Sequence, residues 1–162
     1  MNEMKKINLI ISALLIVLIS SCTAIYEDGK DLASVVKSEI NEISVDTLKA
    51  MIDNGEEFLL IDVRQPAEYE AGNIPGSFSI PRGELEFLIL DEYFWEEQFM
   101  YVPLKTDKII VYCKSGARAT LATKSLQKLG FENVYNLDGG FLAFSGGELI
   151  QAKQPESGGC GG

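Results

Sequence analysis

The chain contains no histidine. That absence removes the imidazole base of Ser-His-Asp and Cys-His machinery, and any zinc site of the histidine type. Positive charge is scarce as well. Fourteen lysines and arginines stand against 24 aspartates and glutamates, a net charge of −10. Nucleic-acid binding wants a basic patch, so this balance argues against it. Cysteine occurs three times, at Cys22, Cys113 and Cys160. One long aliphatic run, Ile7 to Ile19, stands out, and it is short for a membrane-spanning helix. The length of 162 residues suffices for one domain of ordinary size.

The most informative stretch surrounds the second cysteine. Lys108-Ile109-Ile110-Val111-Tyr112 is β-branched and apolar throughout, the pattern of a buried parallel strand. Six residues follow, from Cys113 through Lys114, Ser115, Gly116 and Ala117 to Arg118. A helical pattern then begins, with Leu121, Ala122, Ser125, Leu126 and Leu129 expected on one face and Gly130 at its end. Cys113 therefore lies between the carboxyl end of a strand and the start of a helix, where open α/β sheets bind ligands. Loop and helix-terminal N–H groups stabilise an anion there, and Lys114 and Arg118 add positive charge. A thiolate so held is a nucleophile, and it needs no histidine.

Loop length narrows the anion. A cradle with five residues between cysteine and arginine, as in protein-tyrosine-type phosphatases, is wide enough for phosphate; here four residues separate Cys113 from Arg118. The smaller ring suits one extra sulfur carried on the cysteine. This loop resembles the active-site loop of the rhodanese (sulfurtransferase) family. Leu60-Ile61-Asp62-Val63-Arg64-Gln65-Pro66-Ala67-Glu68-Tyr69 resembles the first motif of that family. Gly72-Asn73-Ile74-Pro75-Gly76-Ser77 resembles the second, with Asn73 where histidine is more usual. Asn133-Val134-Tyr135-Asn136-Leu137-Asp138-Gly139-Gly140-Phe141 resembles the last, with Phe144 where tryptophan is common. The resemblance implies an α/β, rhodanese-like fold: a parallel sheet of about five strands with helices on both faces.

Four regions follow from the chain order. Residues 1–21 read as a signal peptide, with Lys5 and Lys6 ahead of the aliphatic run. Ile19-Ser20-Ser21-Cys22 resembles a bacterial lipobox, so Cys22 is the expected lipidation site. That makes residues 22–41 a lipid-anchored tether at the cell envelope, with a short helix possible near Asp31 to Glu39. The rhodanese-like domain is expected over 42–145: a strand near Ile43, a helix capped by Ser44, strands over Phe58–Ile61 and Ser77–Ile80, and a last strand over Asn133–Leu137. Residues 82–104 exceed the minimal connection; Leu85, Leu88, Ile89, Tyr93, Trp95 and Phe99 suit one side of a helical hairpin, either as extra core or as a lid or partner surface. Residues 146–162, glycine-rich and carrying Cys160, read as a flexible tail.

The resemblance implies an enzyme in which Cys113 takes a sulfane sulfur from thiosulfate or a persulfide and passes it to a thiol or cyanide. Lys114, Ser115, Gly116, Ala117 and Arg118 form the loop that binds the persulfide. No cofactor and no metal are called for. Asp62 either pairs with Arg118 to hold the loop or caps local backbone. Arg64 either binds substrate or its own motif's backbone. Glu68 stands where two-domain thiosulfate enzymes tend to carry a basic residue; facing the cleft, it would repel a dianion. The alternatives are a module that accepts persulfide or oxidises at Cys113 without turnover, and a phosphatase or arsenate reductase, against which the short loop argues.

Overall fold

The computed structural model describes residues 25–147. The expected signal segment, Cys22 and Cys160 lie outside the described residues. Five parallel strands form one sheet in the order β1-β5-β4-β2-β3. They are β1 (Asn41–Ile43), β2 (Leu59–Asp62), β3 (Ser77–Ser79), β4 (Lys108–Tyr112) and β5 (Asn133–Leu137). The helices are α1 (Gly29–Val36), α2 (Val45–Asp53), α3 (Pro66–Glu70), α4 (Leu85–Leu88), α5 (Glu92–Glu97), α6 (Ala117–Lys128) and α7 (Gly140–Phe144). The expected α/β class and strand number hold.

β4 is the central strand, and its side chains alternate between two cores. Ile109 and Val111 join Ile61, Trp95 and Leu126 on one face. Ile110 and Tyr112 join Leu48, Leu60 and Leu137 on the other. With both faces covered, every inner position must be apolar, which is why β4 has no polar alternation. Each fully buried side chain of this size contributes about 1.5–3 kcal/mol. β2 is paired in register with β4, Asp62 lying opposite Tyr112. That register brings the loops after both strands to the same end of the sheet.

Two local expectations are corrected and a third is met. The short helix expected near Asp31 to Glu39 forms within the stretch assigned to a tether, as α1 and a 3-10 turn over Lys37–Glu39, and it is packed on the domain. Asp28 caps α1 by accepting from the amides of Lys30 and Asp31 at 2.7 and 2.9 Å. α1 packs against α6 and buries Ala33, while Lys124 reaches Glu39 at 2.8 Å. In α6 the buried side is Ala119, Ala122, Thr123 and Leu126, whereas Leu129 is exposed. Small side chains point inward because the helix lies close against the sheet on one flank and against α1 on another. In the 82–104 stretch, Leu85, Ile89 and Trp95 are core. The Trp95 indole donates to the Ile89 carbonyl at 2.9 Å and meets Phe78 and Phe94 edge to face, at centroid distances of 5.4 and 5.0 Å. Tyr93 and Phe99, expected on that same side, are exposed.

Candidate active site

Cys113 follows β4 directly, and its side chain is buried, with 1% exposure. The Gly116 amide donates to its Sγ at 3.2 Å. Gly116 has φ 101°, a conformation that residues with a Cβ rarely adopt, and this turns its N–H back toward the sulfur. α6 begins at the next residue, so its first amides, lacking intrahelical acceptors, stand at the loop. Lys114 and Ser115 are exposed at the rim; Ala117 and Arg118 are half-buried.

The loop is supported from beneath by the turn after β5. The Phe141 amide donates to the Cys113 carbonyl at 2.8 Å, and the Leu142 amide to the Lys114 carbonyl at 3.0 Å. Gly140 is wedged between them. A Cβ at Gly140 would strike the Cys113 carbonyl oxygen and lie 3.0 Å from the Gly116 nitrogen. From the side, the buried Asn136 amide donates to Glu42 at 2.9 Å and to Thr120 at 3.3 Å. That network ties β1 and β5 to the first turn of α6.

Of the two readings of Asp62 and of Arg64, the structure takes the local one each time: Asp62 accepts from the Arg64 backbone amide and Arg64 donates to the Gly72 carbonyl. Arg118 is not held by Asp62. It makes a two-pronged bond with Glu68, at 2.7 and 2.9 Å. Arg118 holds the Glu68 carboxyl down at about 2, against the opposing effect of burial. Burial works against the Arg118 charge, but the Glu68 bond outweighs it and the guanidinium is stabilised. Asp62 instead binds Arg64: Nε donates at 2.9 and 3.0 Å, Nη2 at 2.6 Å and the backbone amide at 2.9 Å. Arg64 also donates to the Gly72 carbonyl at 2.7 Å and lies 4.2 Å from the centre of the Phe141 ring. Arg64 is thus spent on its own motif, and breaking this buried pair would strand a charge. Tyr112 closes the network, its hydroxyl accepting from the Ile74 amide at 3.1 Å and lying 2.8 Å from Ser77 Oγ. Burial, with Asp62 nearby, pushes that hydroxyl well above the ordinary tyrosine range. Among the described residues, no cluster of carboxylates and cysteine is arranged to hold a metal ion.

Residues 44–146 match the model of the rhodanese-like domain. The chain belongs to that family. It is 39% identical over 97 residues to a putative mitochondrial thiosulfate sulfurtransferase of Schizosaccharomyces pombe, a match covering 59% of this chain and 67% of that protein. The structure is similar to that of a human single-domain sulfurtransferase, with a TM-score of 0.61 and 29% identity, over 66% of this chain and 96% of the other. It is also similar to a Rhodopseudomonas palustris protein of unknown function described as a possible tyrosine phosphatase, with a TM-score of 0.62 and 32% identity, over 78% of this chain and 97% of that one.

Within this rhodanese-like site, Cys113 and the loop to Arg118 stand at the end of the sheet that Asp62 also reaches, opposite Tyr112. Sequence reasoning missed Glu68 as the partner of Arg118, Gly140 as the loop's support, and the Glu42–Asn136–Thr120 network. The double glycine at 139–140 was a signal for close backbone approach. The other contacts join residues 16 to 94 positions apart, on different elements, and have no local signature.

Proposed function

We propose that the protein is a sulfurtransferase that carries a sulfane sulfur on Cys113. The observation that carries this reading is the Gly116 amide on Cys113 Sγ, inside a loop too short to ring a phosphate. The Cys113 thiolate attacks the outer sulfur of a persulfide, or the sulfane sulfur of thiosulfate. The donor's S–S bond breaks, and the thiolate or sulfite departs with the electron pair. The new terminal sulfur, Cys113–S–S⁻, is stabilised by the loop amides and the start of α6, as an oxyanion hole stabilises oxygen. A thiol or cyanide acceptor then takes that sulfur and returns Cys113 to the thiolate. The phosphatase reading requires a wider ring between cysteine and arginine, so the loop favours sulfur transfer.

Charge pairing favours a persulfide over thiosulfate as the donor. The Asp62–Arg64 and Glu68–Arg118 pairs are each neutral, which leaves Lys114 and the backbone amides to attract an anion. Attraction scales with charge, so neutralising these two arginines takes more from a dianion such as thiosulfate than from a singly charged persulfide. Glu68→Gln, which leaves Arg118 with an uncompensated charge, is therefore expected to lower the KM for thiosulfate by about tenfold, the factor that ~1.4 kcal/mol provides. The KM for a cysteine persulfide should change much less. Equal effects on both donors, measured in steady-state assays, would show that this pair does not set donor choice. Because the Glu68 carboxyl is held down to about 2, the pair's contribution is complete above about pH 4.5 and is lost only as pH falls from there toward 2.

The proposal includes an envelope location, with Cys22 lipidated as the lipobox-like sequence suggests. Metabolic labelling with a fatty acid is expected to mark the wild type and not Cys22→Ala. Label retained in Cys22→Ala would overturn the anchor.

A further inference from the structure

Between Gly83 and Leu104 the chain carries Glu84, Glu86, Asp91, Glu92, Glu96 and Glu97, and no lysine or arginine. The same stretch holds aromatic side chains in water. Phe99 is 97% exposed and Tyr101 is 95% exposed, with Phe87 and Tyr93 also outside. Packing explains Trp95 and Leu85 in this segment. It does not explain these four.

Phe99 is the sharpest case. It follows α5 with φ 57°, in the left-handed region, and is the one residue other than glycine there among those described. The helix is closed by the Phe99 amide on the Glu96 carbonyl at 3.0 Å and the Met100 amide on the Trp95 carbonyl at 2.9 Å. Glycine is the residue that suits such a helix end. The chain instead holds an aromatic ring in a disfavoured backbone conformation, fully in solvent. Nothing in the fold requires the ring, so its use lies outside the fold.

Beside it is a groove of about 570 Å³. Met100, Tyr101, Pro103, Phe58 and Phe78 give it apolar walls, and Glu57 and Asp107 acidic edges. Among the described residues that line it, the one cation, Lys108, is taken by Glu56 at 3.3 Å. The groove opens at the amino ends of β2 and β4, whereas Cys113 follows the carboxyl end of β4. A five-residue strand, roughly 17 Å long, separates the two.

Charge selects the occupant. A second copy of this face would bring a second set of carboxylates, and anionic lipid would be repelled. We propose that this face docks a partner protein through a basic segment with interleaved large apolar side chains. The apolar groups pack on Phe99, Met100 and Tyr101, and the lysines or arginines meet Glu57 and Asp107 at the groove's edges. Bound there, the partner leaves the Cys113 end of the sheet open. The proposal does not depend on the chemistry assigned to Cys113.

The test uses the full chain and a fluorescein-labelled amphipathic peptide of lysine, leucine and tryptophan, with a control peptide carrying glutamate for lysine. The lysine peptide is expected to bind, more weakly as salt rises, and the control not at all. Phe99→Gly combined with Tyr101→Ser should weaken binding by about tenfold or more, as loss of aromatic anchors does. Phe99→Gly alone should raise the melting temperature, since glycine suits φ 57°, while still weakening binding. Saturating peptide should leave the alkylation rate of Cys113 unchanged. Equal affinity in the double variant, equal binding of both peptides, or a lower melting temperature in Phe99→Gly would overturn the proposal. So would a dimer in sedimentation equilibrium that the double variant abolishes, or binding to phosphatidylglycerol vesicles that requires Phe99 and Tyr101.

Discussion

Cys113→Ser is expected to reduce sulfur transfer by about three orders of magnitude or more, the scale at which loss of a nucleophile acts. Serine keeps the shape of the side chain, and its hydroxyl can still take the Gly116 amide. Its oxygen forms no stable bond with sulfane sulfur under the same conditions, so the cycle has no carrier. The fold should survive. Burying a hydroxyl in place of a thiol costs about 1–3 kcal/mol, within the stability of an ordinary domain. Turnover with thiosulfate or a persulfide donor, read beside a thermal melt, checks both halves. Turnover at the wild-type rate in a folded Cys113→Ser protein would remove Cys113 from the mechanism.

Gly140→Ala is expected to damage fold and activity together. The alanine Cβ meets the Cys113 carbonyl and the Gly116 nitrogen, and φ 58° adds the left-handed cost of a residue with a side chain. Overpacking of this kind costs roughly 1–3 kcal/mol and the backbone conformation roughly 1–2. The expected fall in melting temperature is about 10 °C. The relieving movement pushes the loop away from the β5–α7 turn, so the Gly116 amide leaves the sulfur. Loss of one such aligned donor costs about 10²–10³ in kcat. Gly83→Ala is the control: a Cβ there meets nothing within 4 Å, and both measurements should match wild type. A folded, fully active Gly140→Ala protein would show that the turn does not hold the loop.

The parts legible in the sequence were those with a local cause. β4 was readable because a strand covered on both faces must be continuously apolar. The six-residue loop was readable because its length is a geometric statement about the anion it surrounds. In the 82–104 stretch both core and surface roles were open, and the structure divides them: Trp95, Leu85 and Ile89 are core, while Tyr93 and Phe99 are exposed. Pairings set by topology were not legible. Asp62 and Arg118 sit in motifs that meet at one edge, and attraction between them was a fair expectation. The fold gives Asp62 to Arg64, two residues along the same chain and bent back over Phe141. It leaves Arg118 for Glu68, which α3 brings to the other side of the loop. The inner face of α6 was misjudged for a related reason. Periodicity marks the large aliphatics, but close approach to the sheet selected Ala119 and Ala122, and α1 covers a flank that looked solvent-facing. α1 itself was legible as a short helix from its apolar stripe of Leu32, Val35 and Val36, but its docking on α6 through Ala33 was not.

The central claim is that Cys113 carries a sulfur atom, and intact mass spectrometry tests it most directly. Purified protein is reduced, desalted, incubated with thiosulfate or a cysteine persulfide, and weighed without reductant. The expected result is a gain of one sulfur atom, mapped to the peptide containing Cys113, absent in Cys113→Ser and discharged by cyanide. A wild-type mass that does not change with either donor, or a sulfur gained equally by Cys113→Ser, would contradict the account.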